Sequence, residues 1–288
     1  MVGSRFCELS KDDFNLIKTD LHGDIPVDIT NKDSVNELFK NFKFDACILF
    51  SAFTDVDAAQ KEAGDKTGIC WKINADGVKN VASAARANNV KLIFISTDFV
   101  FDGSAGPYSE TDPPGPDLNK VSWYGITKME GEKIVGSLDN SIILRIAYPY
   151  RGKFEAKDDI AKRVLRMYGQ DKLYPMFADQ TFTPTLIDDL AGAVSVLIEK
   201  NASGIFHLAS PKPANHYDFA RRLLTVFAKD PNIVQKGSLA EFLKKPGVTP
   251  RPINCALKTD KIQSLGFVPT SWEKGIETIH RQSAGQLI

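Results

Sequence analysis

The feature that most restricts the fold is a run of four apolar residues, 92–95, which three polar residues follow directly. A short apolar run of this kind predicts a strand that is buried on both faces, as in parallel sheets. Ligands of open α/β sheets bind outside the carboxyl ends of the strands. Ser96, Thr97 and Asp98, at that end of the predicted strand, are therefore candidate site residues.

The rest of the first half of the chain alternates between predicted strands and predicted helices. Predicted strands lie at residues 14–20, 44–50, 92–95 and 141–146, and predicted helices around 4–10, 34–42 and 68–88. This alternation predicts βαβ units and a parallel sheet.

A second motif, Tyr-x-x-x-Lys, places Tyr124 and Lys128 at the start of a predicted helix, where residues i and i+4 share one face. An ammonium beside a phenol lowers the phenol pKa, so Tyr124 is predicted to act as an acid near neutral pH, with the Thr97 hydroxyl at the same carbonyl. The spacing alone favours a solvated surface pair. The position of the motif, after a strand that ends in Ser-Thr-Asp and a Gly/Pro-rich loop, favours a catalytic site instead.

Together these motifs resemble the extended short-chain dehydrogenase/reductase family, and most of all its dTDP-4-dehydrorhamnose reductase branch. The resemblance rests on residues 96–103 (Ser-Thr-Asp-Phe-Val-Phe-Asp-Gly), 107–110 (Pro-Tyr-Ser-Glu), and Tyr124-Gly125 with Lys128 and Gly131-Glu132. It extends from the first residues to about Trp272, which is nearly the whole chain.

The resemblance implies a Rossmann-like, doubly wound parallel α/β sheet over residues 1–150 and a smaller C-terminal substrate domain. Residues 176–200 would pack back on the first domain, and residues 151–175 and 201–288 would form most of the second. The implied reaction is the NAD(P)H-dependent reduction of a nucleotide-linked 4-keto-deoxysugar. Tyr124 would protonate the alkoxide, Lys128 would lower the pKa of Tyr124 and hold the nicotinamide ribose, and Thr97 would orient the carbonyl.

The amino terminus departs from the family pattern, because an apolar strand and a Gly-rich turn should open such a domain. Residues 1–6 resemble only the tail of that turn, with Gly3 as its last glycine. We therefore expect the strands at residues 14–20 and 44–50 to flank a gap or to close up imperfectly, and residues 1–10 to be poorly anchored. A start placed too late and a truncated protein with a binding role are both open, and we favour the first.

The resemblance also implies further contacts. Asp20 would accept the adenosine ribose hydroxyls, which favours NAD slightly over NADP as cofactor. The other implied cofactor contacts are Asp28, Ile29, Ser51, Ala52, Phe53, Ser96, Pro149 and Tyr150. The implied substrate contacts are Asp98, Val100, Trp123, Gln180, Thr185 and Arg251, of which Arg251 would lie near the nucleotide diphosphate. Ordinary structural roles stay open for many of these: core packing for Ala52, a helix-leading acid for Asp28, a loop anchor for Trp123 and a surface cation for Arg251.

Related functions differ in their motifs. A sugar dehydratase of this superfamily would carry an acid directly after Asp98, and Phe99 stands there instead. An epimerase uses the same Tyr and Lys and stays open. So does a non-catalytic, cofactor-binding regulatory subunit such as the β subunit of methionine adenosyltransferase.

The composition argues against nucleic-acid-binding, membrane, secreted and metal-binding proteins. The 36 basic and 36 acidic residues balance, so no nucleic-acid or membrane partner is expected. No apolar run approaches the ~18 residues of a membrane span, and no signal peptide is recognised. The four cysteines lack metal or disulfide spacing, which predicts reduced thiols, no metal and a cytoplasmic location. His207, in a predicted strand, is expected to be structural. A homodimer is left open.

Overall fold

The computed structural model describes all 288 residues. Its six strands are β1 (Ala46–Leu49), β2 (Lys91–Thr97), β3 (Ser141–Ile146), β4 (Met176–Phe177), β5 (Gly204–Leu208) and β6 (Lys236–Gly237). The first seven helices are α1 (Val2–Leu9), α2 (Lys32–Asn41), α3 (Val56–Gln60), α4 (Ile69–Trp71), α5 (Val78–Ala87), α6 (Trp123–Gly136) and α7 (Ile160–Gly169). The remaining five are α8 (Asp189–Glu199), α9 (His216–Val226), α10 (Leu239–Leu243), α11 (Asp260–Ser264) and α12 (Trp272–Gln282).

The main sheet has the order β1-β2-β3-β5, and every pair in it is parallel. Ile93 pairs with Ile142 and Phe94 with Ile143, so the apolar runs that predicted β2 and β3 form the buried centre of the sheet. Helices cover both faces, as parallel strands require. The predicted parallel α/β sheet is confirmed.

One predicted strand is wrong. Residues 14–20 belong to no strand, and their only ladder contact is an isolated bridge from Asp20 to Pro26. An extended segment becomes a strand only when a neighbour satisfies its backbone groups. Here a cavity of about 1600 Å³ separates it from β1, and both segments line that cavity. The expected gap is therefore present, but only one of its borders is a strand.

The expectation that residues 1–10 are poorly anchored is also wrong. The Arg5 guanidinium makes two hydrogen bonds of 2.7 Å to the Asp188 carboxylate, and Arg151 reaches Glu8 at 2.8 Å. Phe6 is 2% exposed, and its ring lies 5.6 Å from that of Phe50. Helix α1 is thus fixed to the sheet by apolar packing and to the start of α8 by charge.

The second half contributes a separate apolar cluster. Tyr150, Phe182, Phe219 and Trp272 pack together with residues of α7, α9 and α12. Helix α8 instead packs its apolar side on β2, β3 and β5. The division of the chain into two domains near residue 150 stays a prediction. No helix in the structure is long and apolar enough to cross a membrane.

Candidate active site

Thr97, Tyr124 and Lys128 meet at the carboxyl end of β2, beside the cavity. Ser122 caps helix α6 by accepting a hydrogen bond of 3.2 Å from the Gly125 amide. A Cβ atom at residue 125 would lie 2.2 Å from the Phe99 carbonyl oxygen, so only glycine lets α6 start this close to the end of β2. This contact holds Tyr124 over the strand that carries Thr97.

Lys128 is almost fully buried. Its Nζ atom donates a hydrogen bond of 2.8 Å to the Ile95 carbonyl and lies 3.9 Å from the centre of the Phe94 ring. Burial lowers the pKa of Lys128 from 10.5 to about 7, although the negative charge of Glu132 acts in the opposite direction. Near neutral pH the side chain can therefore hold or release a proton.

The sequence predicted a lowered pKa for Tyr124, and the structure contradicts this. Burial raises the pKa of the Tyr124 phenol above its ordinary value of 10, a hydrogen bond from Thr97 opposes the rise, and the charges of Asp98 and Cys70 add to it. Lys128 is not among the groups that act on it. The reason is that both side chains are buried, so each loses hydration that favours its charged form.

A buried ionic network lies between β2, β3 and α6, and the sequence analysis singled out only some of its residues. Ser96 donates a hydrogen bond of 2.6 Å to Glu132, which also accepts two from Arg145 at 2.8 and 2.7 Å. His207 lies 3.3 Å from Arg145 and is fully buried. The structural role expected for His207 agrees with this position. Ser96 lines the cavity, but its hydroxyl is used inside the network.

The predicted small residues after β1 lie where expected. Ser51 and Ala52 line the cavity, whereas Phe53 does not. The Asn74 side chain fixes the Phe53 backbone by accepting from its amide at 2.9 Å and donating to its carbonyl at 3.0 Å. These two hydrogen bonds join segments that are distant in sequence, so no local pattern predicts the contact.

On the amino-terminal side, Gly3 and Asp20 line the cavity. A Cβ atom at Gly3 would lie 3.0 Å from the Phe50 ring, so this glycine allows α1 to pack closely against the segment after β1. Asp28 and Ile29 do not line the cavity. The Asp28 carboxylate accepts hydrogen bonds from Thr30, and the Ile29 side chain packs against Gly77.

Several residues expected at the substrate or the cofactor lie away from the cavity. Val100 belongs to a buried apolar cluster, and Tyr150 lies in the core of the second half with its hydroxyl 3.4 Å from the Trp272 carbonyl. The Thr185 hydroxyl bridges the Ala147 amide and the Leu208 carbonyl. Trp123 stacks on Trp71 at 5.7 Å, which fits the anchoring role. Pro149, in contrast, lines the cavity.

Asp98 faces the cavity from a fully buried position. Its Oδ1 atom accepts from the Thr97 hydroxyl at 3.0 Å, and its Oδ2 atom has no hydrogen-bond partner. Burial raises the pKa of Asp98 to about 6, against the nearby Cys255 thiol and the hydrogen bond from Thr97, which both favour the carboxylate. An unpartnered, buried carboxylate oxygen is a strong acceptor for a ligand hydroxyl.

Two aromatic residues of the cavity wall were not predicted. Tyr148 has φ of 40°, a left-handed conformation that is uncommon outside glycine, and its ring lies 6.0 Å from Phe99 and 5.3 Å from His216. The Gln180 side chain donates a hydrogen bond of 3.2 Å to the Tyr148 hydroxyl, so Gln180 holds the Tyr148 side chain in place without lining the cavity itself. The sequence pointed to Pro149 and Tyr150 in this stretch, but it carries no signal for the turned backbone at residue 148.

Comparison with known proteins shows the family to which the chain belongs. A family model described as the RmlD substrate binding domain matches residues 1–284. The chain belongs to this family. A relative named dTDP-4-dehydrorhamnose reductase, from Aggregatibacter actinomycetemcomitans, is 31% identical over 267 residues, which cover 88% of this chain and 86% of the relative. The resemblance to the extended short-chain dehydrogenase/reductase family is confirmed.

Solved structures agree with the RmlD family. The crystal structure of dTDP-4-dehydrorhamnose reductase from Bacillus anthracis in complex with NADP is 27% identical, with a TM-score of 0.86 over 98% of this chain and 95% of that one. UDP-glucose 4-epimerase from Thermus thermophilus, in complex with NAD, is 18% identical, with a TM-score of 0.79 over 99% of this chain and 96% of that one. The second likeness shows the fold alone, and with the first it confirms the Rossmann-like expectation.

The cavity fits a dinucleotide. Its volume is about 1600 Å³, and its wall includes Lys128 and Pro149, the small residues Ser51 and Ala52, and Asp20. Helix α1 begins beside it at Val2, and its N-cap Met1 provides no side-chain hydrogen bond, so the first amides of the helix can donate hydrogen bonds to an anion. No group of three or more His, Cys, Asp or Glu side chains is placed to hold a metal ion.

Proposed function

We propose that this member of the RmlD family reduces the keto group of a dTDP-linked 4-keto-6-deoxysugar such as dTDP-4-dehydrorhamnose, with NADH or NADPH as the reductant. The observation that carries the proposal is the meeting of Thr97, Tyr124 and Lys128 at the carboxyl end of β2, on the wall of a cavity that fits a dinucleotide. The names of the relatives in the family support it.

Each residue has a role that follows from its position. Lys128, Pro149, Ser51 and Ala52 would hold the nicotinamide half of the cofactor, and Asp20 would bind the adenosine ribose. The bound cofactor supplies the hydride that reduces the keto carbon. Thr97 donates a hydrogen bond to the carbonyl oxygen and orients it, and its neighbour Asp98 accepts from a sugar hydroxyl.

Tyr124 supplies the proton. A carbonyl that gains a hydride becomes an alkoxide, a far stronger base than a phenolate, so the phenol can protonate it. Burial raises the pKa of Tyr124, which keeps the proton on the phenol until the alkoxide forms. Lys128 lies one turn further along α6. It does not lower the resting pKa of Tyr124, but when it is protonated its ammonium would favour the phenolate that remains.

The test is turnover by the wild-type protein and by Tyr124→Phe in an assay that follows NADH or NADPH oxidation with the 4-keto sugar nucleotide. Phenylalanine keeps the ring and removes the proton donor, so kcat should fall ~10²–10⁴-fold while the fold persists. Tyr108→Phe is the matched control, because Tyr108 is also buried but hydrogen-bonds to Asp102 away from the cavity.

Three results would contradict the proposal. A Tyr124→Phe protein with near wild-type turnover removes Tyr124 from the chemistry. A wild-type protein that binds the cofactor but oxidises none in the presence of the keto sugar supports a regulatory binding role instead. Conversion of a sugar nucleotide without net cofactor oxidation would indicate an epimerase.

A further inference from the structure

The cavity is larger than a small-molecule ligand requires. Sites for small molecules have volumes of about 300–1,000 Å³, whereas this cavity measures about 1600 Å³. Ligands of parallel sheets bind outside the carboxyl ends of the strands, but this cavity is also lined by Lys43, Phe44 and Asp45, which precede β1. Part of the cavity therefore lies beside the sheet itself. We call this part, between residues 14–18 and β1, the slot.

The backbone on both sides of the slot lacks hydrogen-bonding partners. The Asp45 carbonyl faces β2, and alternate residues of a parallel strand face opposite sides, so Ala46 and Ile48 direct their N–H and C=O groups into the slot. On the other side, residues 15–19 make no backbone hydrogen bond. Unpaired N–H and C=O groups at the edge of a sheet are a template for pairing with another chain.

Aromatic rings indicate the width of the slot. The ring centre of Phe6, on α1, lies 6.4 Å from that of Phe14 and 5.6 Å from that of Phe50. The Phe14 and Phe50 rings, one from each side, are thus no further apart than about two and a half strand spacings of ~4.8 Å. One inserted strand needs about two spacings and a pair of strands about three. The slot therefore has the width of a single strand.

Apolar side chains line both faces of the slot. Phe6 and Ile198 reach the cavity from α1 and α8, on the face where these helices pack, and Leu38 reaches it from α2, on the opposite face. Residues 46–48 of β1 are only half-buried, whereas every residue of β3 is buried. A strand that is covered on both faces is apolar at successive positions. The slot thus fits an extended segment of consecutive apolar residues.

We propose that the slot binds an extended apolar segment of another polypeptide as an added strand. All 288 residues of this chain have a place in the structure, and none of them fills the slot. A segment of five residues spans β1 and Phe50. Its main chain would pair with Ala46 and Ile48 on one side and with residues 15–19 on the other. In strand addition of this kind the main-chain hydrogen bonds give affinity, and the side-chain contacts give specificity.

A designed peptide tests the slot directly. The probe is Glu-Glu-Val-Ile-Val-Val-Ile-Glu-Glu, whose terminal glutamates keep it in solution, titrated into the full chain by calorimetry. At saturation, hydrogen exchange at the Ala46 and Ile48 amides should slow about tenfold or more, because pairing protects them. The Cys47 and Leu49 amides, which already face β2, should change less. The unfolding temperature should rise, since the peptide binds only the folded state.

The matched control peptide carries N-methyl groups on every second residue. It keeps the apolar side chains but cannot donate hydrogen bonds to one side of the slot, so it should bind at least about tenfold more weakly. In the protein, Leu16→Asp places a carboxylate on the slot wall and should weaken binding of the unmodified peptide by about tenfold or more. Val268→Asp is its control, because Val268 is 69% exposed and does not line the cavity.

Thermal unfolding of both variants checks that the fold is kept. If Leu16→Asp does not fold, the two peptides on the wild-type protein decide the question. The proposal is overturned by absent peptide binding, by equal affinity for the two peptides, or by binding that leaves exchange at Ala46 and Ile48 unchanged. Protection of these amides that rises with protein concentration alone would assign the slot to a second copy of the chain instead. No cofactor or sugar is present in these titrations, so their outcome is separate from that of the proposed reaction.

Discussion

Replacing Lys128 by methionine should stabilise the protein while abolishing its turnover. Methionine keeps an unbranched side chain of similar length and removes the buried charge. Burial lowers the pKa of Lys128 from 10.5 to about 7. Between these pH values the unfolded chain binds a proton that the folded chain has released, so wild-type stability rises with pH over that range.

The magnitude follows from the two pKa values. At about 1.4 kcal/mol per pH unit, the buried ammonium costs the folded state about 5 kcal/mol at pH 7 and below. Methionine leaves the Ile95 carbonyl without its donor, which costs about 2 kcal/mol. The variant should thus be more stable than wild type by about 3 kcal/mol at pH 6–7. At pH 9 the cost of the ammonium falls to about 2 kcal/mol, and the two proteins should be nearly equal.

Urea unfolding of both proteins at pH 6, 7, 8 and 9 measures this difference. Lys162→Met is the matched control, because Lys162 is equally buried but forms an ion pair with Asp159 on the same helix turn. Removing one partner of a buried pair should destabilise the protein by about 3–5 kcal/mol. If Lys128→Met is the less stable protein at pH 7, or if its advantage does not change with pH, the assignment of a buried, easily deprotonated lysine is refuted.

Three further predictions concern the cofactor, the start of α6 and the edge of β1. NADH should be preferred to NADPH, and Asp20→Ala should narrow the ratio of their kcat/KM values; equal use of both by the unmutated protein counts against the ribose role of Asp20. Gly125→Ala should destabilise the protein by more than ~1 kcal/mol and reduce turnover, because its Cβ atom would lie 2.2 Å from the Phe99 oxygen; a neutral result in thermal unfolding would refute the close contact. A form extended before Met1 by an apolar strand and Gly-x-x-Gly should unfold at a higher temperature and bind NADH more tightly; identical values in both forms would show that Gly3 is not the last glycine of the turn.

The sequence predicted what depends on local pattern. Apolar runs located β1, β2 and β3, and helical spacing located α2, α5 and α6. Residues 14–20 have the composition of a strand, but a strand also needs a paired neighbour, which no local pattern reveals. The sequence predicted that Thr97, Tyr124 and Lys128 lie together because their motif spans one strand end and one helix start, and all three line the cavity.

What the sequence could not predict depends on contacts between distant segments. The predicted lowering of the Tyr124 pKa was wrong because burial by the whole fold raises this pKa, and Lys128 is not among the groups that act on it. Tyr148 reaches the cavity from the segment after β3, His216 from α9 and Arg163 from α7, and none of them belongs to a recognisable motif. Val100 and Tyr150 were assigned by their neighbours in the chain, whereas their side chains point into apolar cores.

The position of β1 at the edge of the sheet has a consequence for hydrogen exchange. The Asp45 carbonyl accepts a hydrogen bond of 3.1 Å from the Lys91 amide, so residue 45 faces β2. In a parallel strand the N–H and C=O groups of one residue point to the same side, and the next residue points to the opposite side. The amides of Cys47 and Leu49 therefore point towards β2, and those of Ala46 and Ile48 point into the cavity. The amide hydrogens of Ala46 and Ile48 should exchange for deuterium much sooner than those of Cys47 and Leu49. The amides of β2 and β3, which are hydrogen-bonded to strands on both sides, should exchange slowly along their whole length.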